Sequence, residues 1–112
     1  MKISIITVVY NGEKTIADTI RSVIGQDFFN KEYIIVDGAS TDNTLKVVSQ
    51  YEEHIASVIS EPDGGIYDAM NKGIAMATGD VIGILNADDV YASNQILSKV
   101  AQNLDQPEKM GC

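Results

Sequence analysis

The feature that most constrains this chain is an alternation. Four short apolar runs, at residues 3–9, 33–36, 55–59 and 81–85, are separated by segments whose apolar residues recur at helical spacing. Runs this short and this rich in Ile and Val read as buried strands. Strand and helix taking turns four times imply an α/β fold: a Rossmann-like open parallel sheet of about four β-α units with helices on both faces. The natural strand order is 3-2-1-4, which puts a switch point between strands 1 and 4. In such sheets ligands bind beyond the carboxyl ends of the strands. Two of the strand exits carry acids, Asp37 after the second and Asp88-Asp89 after the fourth.

The helices follow from spacing and caps. Ile16, Ile20, Val23 and Ile24 share a face, and Gly25 is placed to stop that helix. Ser40 or Thr41 is expected to cap a second helix with Leu45, Val48 and Tyr51 on its apolar side. Residues 61–65 (EPDGG) read as a loop. Ile66, Ala69, Met70, Gly73, Ile74 and Ala77 then mark an amphipathic helix. After the Gly79-Asp80 turn and the fourth strand, Ser93 or Asn94 is expected to cap a last helix through Ile96, Leu97, Val100, Ala101 and Leu104.

Composition removes several functions. The 112 residues suit one domain, and a net charge of −8 with Arg21 as the lone arginine excludes a nucleic-acid surface. An anionic ligand would need help here, most simply from a divalent cation. No stretch approaches the roughly 20 apolar residues of a membrane span, and no signal-peptide pattern opens the chain, so a cytoplasmic domain is expected. Attachment at the inner face of the membrane through other residues stays open. Cys112, the single cysteine, can make no internal disulfide. His54 lacks His or Cys neighbours and reads as a surface residue, while Met70, Met76 and Met110 form no stripe. Neither the dinucleotide fingerprint G-x-G-x-x-G nor the P-loop G-x-x-x-x-G-K-[ST] occurs. Adjacent Asp88 and Asp89 could instead offer hard oxygen ligands to Mg²⁺ or Mn²⁺, which could bridge a diphosphate; the alternative is a helix-capping turn.

Residues 4–11 (SIITVVYN), 36–44 (VDGASTDNT), 61–73 (EPDGGIYDAMNKG) and 79–89 (GDVIGILNADD) occur in an order and spacing that resemble the nucleotide-sugar half of a GT-A glycosyltransferase of family 2. The likeness runs from about Met1 to Leu104. It implies that Tyr10 packs against the nucleotide base, with Val8 and Val9 lining the same wall, and that Asp37 accepts a hydrogen bond from the ring N–H of uracil. It implies that Asp88 and Asp89 form the metal motif, with Asn86 accepting from a ribose hydroxyl. Two departures stand out: Asn86 occupies the first acidic place of a D-x-D frame, and Gly38 occupies a place where many relatives carry a second aspartate. The 61–73 segment would close around the donor, with Asp68 facing sugar or diphosphate; equally, Asp68 and Lys72 at i, i+4 could form a solvated pair.

The resemblance implies inverting transfer of a sugar from a nucleoside diphosphate, expected to be UDP, to an acceptor hydroxyl on a glycan or lipid-linked sugar in polysaccharide or glycoconjugate synthesis. The general base is expected beyond residue 112, so the chain reads as one truncated donor-binding domain, inactive alone and prone to self-association. If it does turn over, Asp63 and Asp68 are the first carboxylates to mutate. A non-catalytic nucleotide-sugar binder is the alternative. A phosphoacceptor receiver domain would need an acidic pair after strand 1 and a lysine after the last strand, where this chain has Tyr10-Asn11 and no strand-end lysine.

Overall fold

The computed structural model describes residues 1–104; Met110 and Cys112 lie outside the described residues. Four parallel strands, β1 (Ile3–Val9), β2 (Lys31–Asp37), β3 (Ser57–Ser60) and β4 (Val81–Ile84), pair in the order β3-β2-β1-β4. The order expected from sequence is the order observed. Strand β1 is central and every residue in it is buried, which is why its sequence is a continuous apolar run rather than an alternating one. Its two buried hydroxyls have partners: Ser4 Oγ donates to Glu32 Oε1 at 2.8 Å, and Thr7 Oγ1 shares a 2.7 Å hydrogen bond with Tyr33 OH. Burial raises the Tyr33 hydroxyl pKa far above its usual value.

The helices divide unequally between the two faces. Helices α1 (Ile16–Ile24), α2 (Thr44–Ser49) and α4 (Ile96–Leu104) lie on one side, where Ile3, Ile5 and Val9 meet Ile16, Ile20, Val23, Val48, Leu97 and Ala101. Helix α3 (Ile66–Met76) lies on the other, where Ile6, Val8, Ile34 and Val36 meet Ala69. Close approach on that second face depends on Gly73, because a Cβ there would stand 2.5 Å from Ile6 Cγ2. Ile82 and Ile84 on β4 point to the same side as Ser4 and Ile6, yet α3 leaves them 41% and 42% exposed.

Several boundaries differ from expectation for identifiable reasons. Strand β2 begins at Lys31, and β3 runs over residues 57–60 rather than 55–59, its position set by pairing of Ile34 through Asp37 with Ser57 through Ser60. Strand β4 ends at Ile84, although Leu85 N–H still donates to Ile6 O. Helix α2 starts at Thr44, not after Ser40 or Thr41, because both are drawn elsewhere: Ser40 binds Asp37, and Thr41 N–H donates to Asn11 Oδ1. Asp42 does the work of an N-terminal cap, its Oδ1 accepting from Thr44 N–H at 2.9 Å and from the Thr44 hydroxyl. These bonds lower the Asp42 pKa against the opposing effect of desolvation. Val47, not Leu45, joins Val48 against the core, and Tyr51 packs there from beyond the helix. At α4, Ser93 Oγ accepts from Gln95 N–H, but the first-turn N–H of Leu97 donates to buried Gln26 Oε1, a cap from a distant loop that no local pattern reveals.

Candidate functional site

The exits of β1 and β4 and the loop after β3 converge on one open cleft built from two adjoining cavities. One, about 280 Å³, is lined by Val8, Val9, Tyr10, Asp63, Gly65, Ile66 and Ala69. The other, about 390 Å³, shares Val8, Val9, Tyr10 and Ile66 and continues to Asn11, Gly12, Thr15, Asn86, Ala87 and Asp88. Tyr10 stands between them, 64% exposed at the end of a fully buried strand. An exposed aromatic over an apolar wall is a platform for a flat ligand.

The loops behind the cleft are bonded to each other rather than to the sheet alone. Asn11 adopts a left-handed backbone (φ 49°), and its Oδ1 accepts from the N–H groups of Thr41 (2.8 Å) and Asp42 (3.3 Å), while its own N–H donates to Ser40 Oγ (2.8 Å). Gly12 N–H donates to Thr44 Oγ1, and Glu13 N–H to Asp42 Oδ2. These contacts hold the loops after β1 and β2 as one unit.

Asp37 is the hub of that unit. Its side chain is fully enclosed, with 0% exposure: Oδ2 accepts from Ser40 N–H and Ser60 Oγ, both at 2.9 Å, and Oδ1 accepts from Ser40 Oγ at 2.5 Å. A buried carboxylate is tolerable only with such partners. Asp37 therefore presents no surface to the cleft, in contrast to Tyr10, Val8 and Val9, which line it.

The turn after β4 is fixed from behind. Asp89 N–H donates to Asn86 O, and the Thr19 hydroxyl faces the carbonyl oxygens of Ala87 (2.8 Å) and Asp89 (2.6 Å). This leaves Asp88 and Asp89 exposed, with Asp88 and Asn86 on the cleft wall. Asn86 Oδ1 is buried without a hydrogen-bond partner. An orphaned acceptor normally costs stability, so at a cleft wall it marks a place for a ligand hydroxyl or a cation. Among the described residues no group of three or more His, Cys, Asp or Glu could enclose a metal. What would fit a divalent cation is an open pair of hard carboxylate oxygens, Asp88 and its neighbour Asp89, with Asn86 beside them.

The 61–68 loop closes the far side. Gly65 has φ 119°, a conformation suited to glycine, and Asp63 Oδ1 accepts from its N–H at 3.1 Å. Asp68 turns back on the same loop: Oδ2 accepts from Gly64 N–H at 2.9 Å and lies 3.6 Å from Lys72 Nζ, so Asp68 lines neither cavity. The Gly64 bond, helped by Lys72, lowers its pKa. Lys72 also reaches Glu61 at 3.1 Å and Pro62 O. Of the residues singled out by sequence, Val8, Val9, Tyr10, Asn86 and Asp88 come together. Asp37 lies behind the wall, Asp68 on the loop's own backbone, and Asp89 beside the wall. Asp63, Asn11 and Ile66 join the cleft without having been assigned a ligand role. His54 is exposed and distant, 3.8 Å from Glu53.

Comparison with known proteins agrees with this fold. The sequence profile of Glycosyl transferase family 2 matches residues 4–111. An uncharacterized glycosyltransferase of Mycobacterium tuberculosis is 36% identical over 103 residues, covering 91% of this chain and 39% of that protein. The crystal structure of Staphylococcus aureus TarS 1–349 in complex with UDP-GlcNAc superposes with a TM-score of 0.87 at 31% identity, covering 94% of this chain and 31% of that one. The mannosyltransferase PcManGT from Pyrobaculum calidifontis, in complex with GDP-Man and Mn²⁺, gives a TM-score of 0.86 at 26% identity, covering 95% and 33%. The chain thus spans well under half the length of the relatives it matches. With its strand order, its cleft at the strand exits and its sequence in agreement, the chain belongs to glycosyl transferase family 2.

Proposed function

We propose that this chain is the donor-binding part of an inverting glycosyltransferase that uses a nucleoside diphosphate sugar, preferably a UDP-sugar, in polysaccharide or glycoconjugate synthesis. The observation that carries the reading is the polarity of the cleft. Tyr10 over Val8 and Val9 forms an apolar wall that both cavities share and that Ala69 extends at one end; the other end carries Asp88 and Asn86, whose buried Oδ1 has no hydrogen-bond partner. A base at the first end and a diphosphate at the second match that gradient. Support comes also from the nucleotide-sugar complexes of the two structural relatives.

In this reading Tyr10 stacks on the base, Asn86 Oδ1 accepts from a donor hydroxyl, and Asp88 with Asp89 holds Mn²⁺ or Mg²⁺. A divalent cation bound there would neutralise the departing diphosphate. The acceptor hydroxyl attacks the anomeric carbon opposite the diphosphate, the bond from that carbon to the diphosphate oxygen breaks, and a general base takes the hydroxyl proton. None of the described residues is assigned as that base or as the acceptor site. The half-exposed Ile82 and Ile84 fit a face that further protein covers, and that drives self-association when left bare. Calorimetry with UDP, in Mn²⁺ or with a chelator, tests the reading. Binding that weakens on chelation is expected; no binding in either condition rules the reading out.

A further inference from the structure

Resting on that donor-binding reading, we propose that Asp63 is the residue that reads the nucleobase, accepting a hydrogen bond through Oδ2 from a ring N–H of uracil or guanine. Three observations converge on it. Asp37, the acid at the strand exit, is enclosed and engaged by Ser40 and Ser60, so it has no free face toward a ligand. Gly38 follows it, and a Cβ at Gly38 would stand 3.0 Å from Asp63 Oδ2 and 3.5 Å from Tyr10 Cδ1. Gly38 is not among the glycines with a positive φ, so space rather than backbone conformation keeps this position small. The Asp63 carboxylate, arriving from a different loop, occupies the volume that a side chain at residue 38 would fill.

The geometry of Asp63 suits the task. Oδ1 is committed to Gly65 N–H, which fixes the carboxylate, while Oδ2 has no hydrogen-bond donor and faces Gly38 beside the Tyr10 ring. The loop that carries it is held by Lys72 to Pro62 O, Glu61 and Asp68. Asp63 lines the apolar cavity with Tyr10, Val8 and Val9. A base lying against Tyr10 would meet a fixed carboxylate at its edge.

The chemistry selects among bases. Uracil N3 and guanine N1 carry a proton for a carboxylate, whereas cytosine N3 and adenine N1 present a lone pair that a carboxylate repels. A site built to accept a hydrogen bond rejects ligands lacking the donor more strongly than an apolar pocket discriminates by size. Asp63 therefore sets a preference for UDP or GDP over CDP and ADP.

Calorimetry on the full-length protein with UDP, GDP, CDP and ADP tests this against Asp63→Asn and Asp37→Asn. Asp63→Asn keeps a carbonyl oxygen for Gly65 and turns an amide NH₂ toward the base. It is expected to weaken the preferred diphosphate about 10- to 100-fold and to narrow its margin over CDP, since the amide can donate to cytosine N3. Asp37→Asn is expected to lower the melting temperature while leaving the ranking of bases unchanged. An unchanged ranking in Asp63→Asn, with UDP still bound, overturns the assignment of Asp63 and leaves the donor site standing. A ranking that shifts in Asp37→Asn alone returns the role to Asp37. Absence of any nucleoside diphosphate binding in the parent protein defeats both readings.

Discussion

The two faces of the sheet are unequal. On one, α1, α2 and α4 seal Ile3, Ile5 and Val9 into a continuous core. On the other, α3 covers Ile6, Val8, Ile34 and Val36 but stops short of Ile82 and Ile84. The sealed face makes the domain stable, and the open face keeps apolar surface available beside the cleft. Strand β1 serves both core and cleft: Ile5 anchors the sealed side, while Val8, three residues further along on the other face, and Val9 reach the cleft wall.

The largest expected contrast is between core and open face. Ile20→Ala or Ile5→Ala removes a fully buried side chain from the sealed side and should cost about 2–5 kcal/mol. Ile82→Ala should change stability by only about 0.5 kcal/mol, since 41% of its surface is already exposed. Denaturant melts of the three variants check the difference, and equal losses would remove the distinction between the faces.

Gly73→Ala probes the close approach of α3 to β1 on the thin side. Alanine favours a helix, but its Cβ would meet Ile6 at 2.5 Å, so a net loss of about 1–3 kcal/mol is expected. A stabilised variant would mean that α3 sits further from β1 than described. Asp37→Asn removes an acceptor from an enclosed hub and should cost about 1–3 kcal/mol in the same assay. Light scattering of the 112-residue chain should detect assemblies that Ile82→Asp reduces; an unaltered size distribution would clear the open face of that role.

The smallest effect is with pH. Glu32, bonded by Thr78 N–H and Ser4 Oγ, and Asp68, bonded by Gly64 N–H, have lowered pKa values. A group whose pKa falls on folding contributes stability that is full above its unfolded value and lost as pH drops through its folded one. Stability should therefore be level near neutrality and decline below the ordinary carboxylate range of about 4. Asp68 is half-exposed and contributes a shallow slope, while Glu32, whose side chain is only 16% exposed, supplies the larger share of the loss. A loss that began near pH 6 would point to some other group.

Periodicity carried most of the fold, and particular residues explain what it missed. Ile16, Ile20 and Val23 are legible as one face because the helix is local. The start of α2 is not, because Ser40, a good cap in isolation, is bound instead to Asp37, whose carboxylate also takes Ser60 once β3 pairs with β2. The same pairing hides Asp37, whose position at a strand exit is legible but whose enclosure is not. Asp63 had a weak signal, a Pro-Asp-Gly-Gly loop, and its place over Gly38 follows from two segments 25 residues apart meeting at the Tyr10 ring. Gln26 capping α4 is the same lesson at longer range.

Hydrogen exchange of the full-length protein with and without saturating UDP and Mn²⁺ tests the central claim most directly. The account predicts protection in residues 8–12, 63–69 and 86–89, around Tyr10, Asp63 and Asp88, with β3 and the exposed Ile82 strand unchanged. Saturated binding that protects the open face, or any region other than these strand exits, would contradict it.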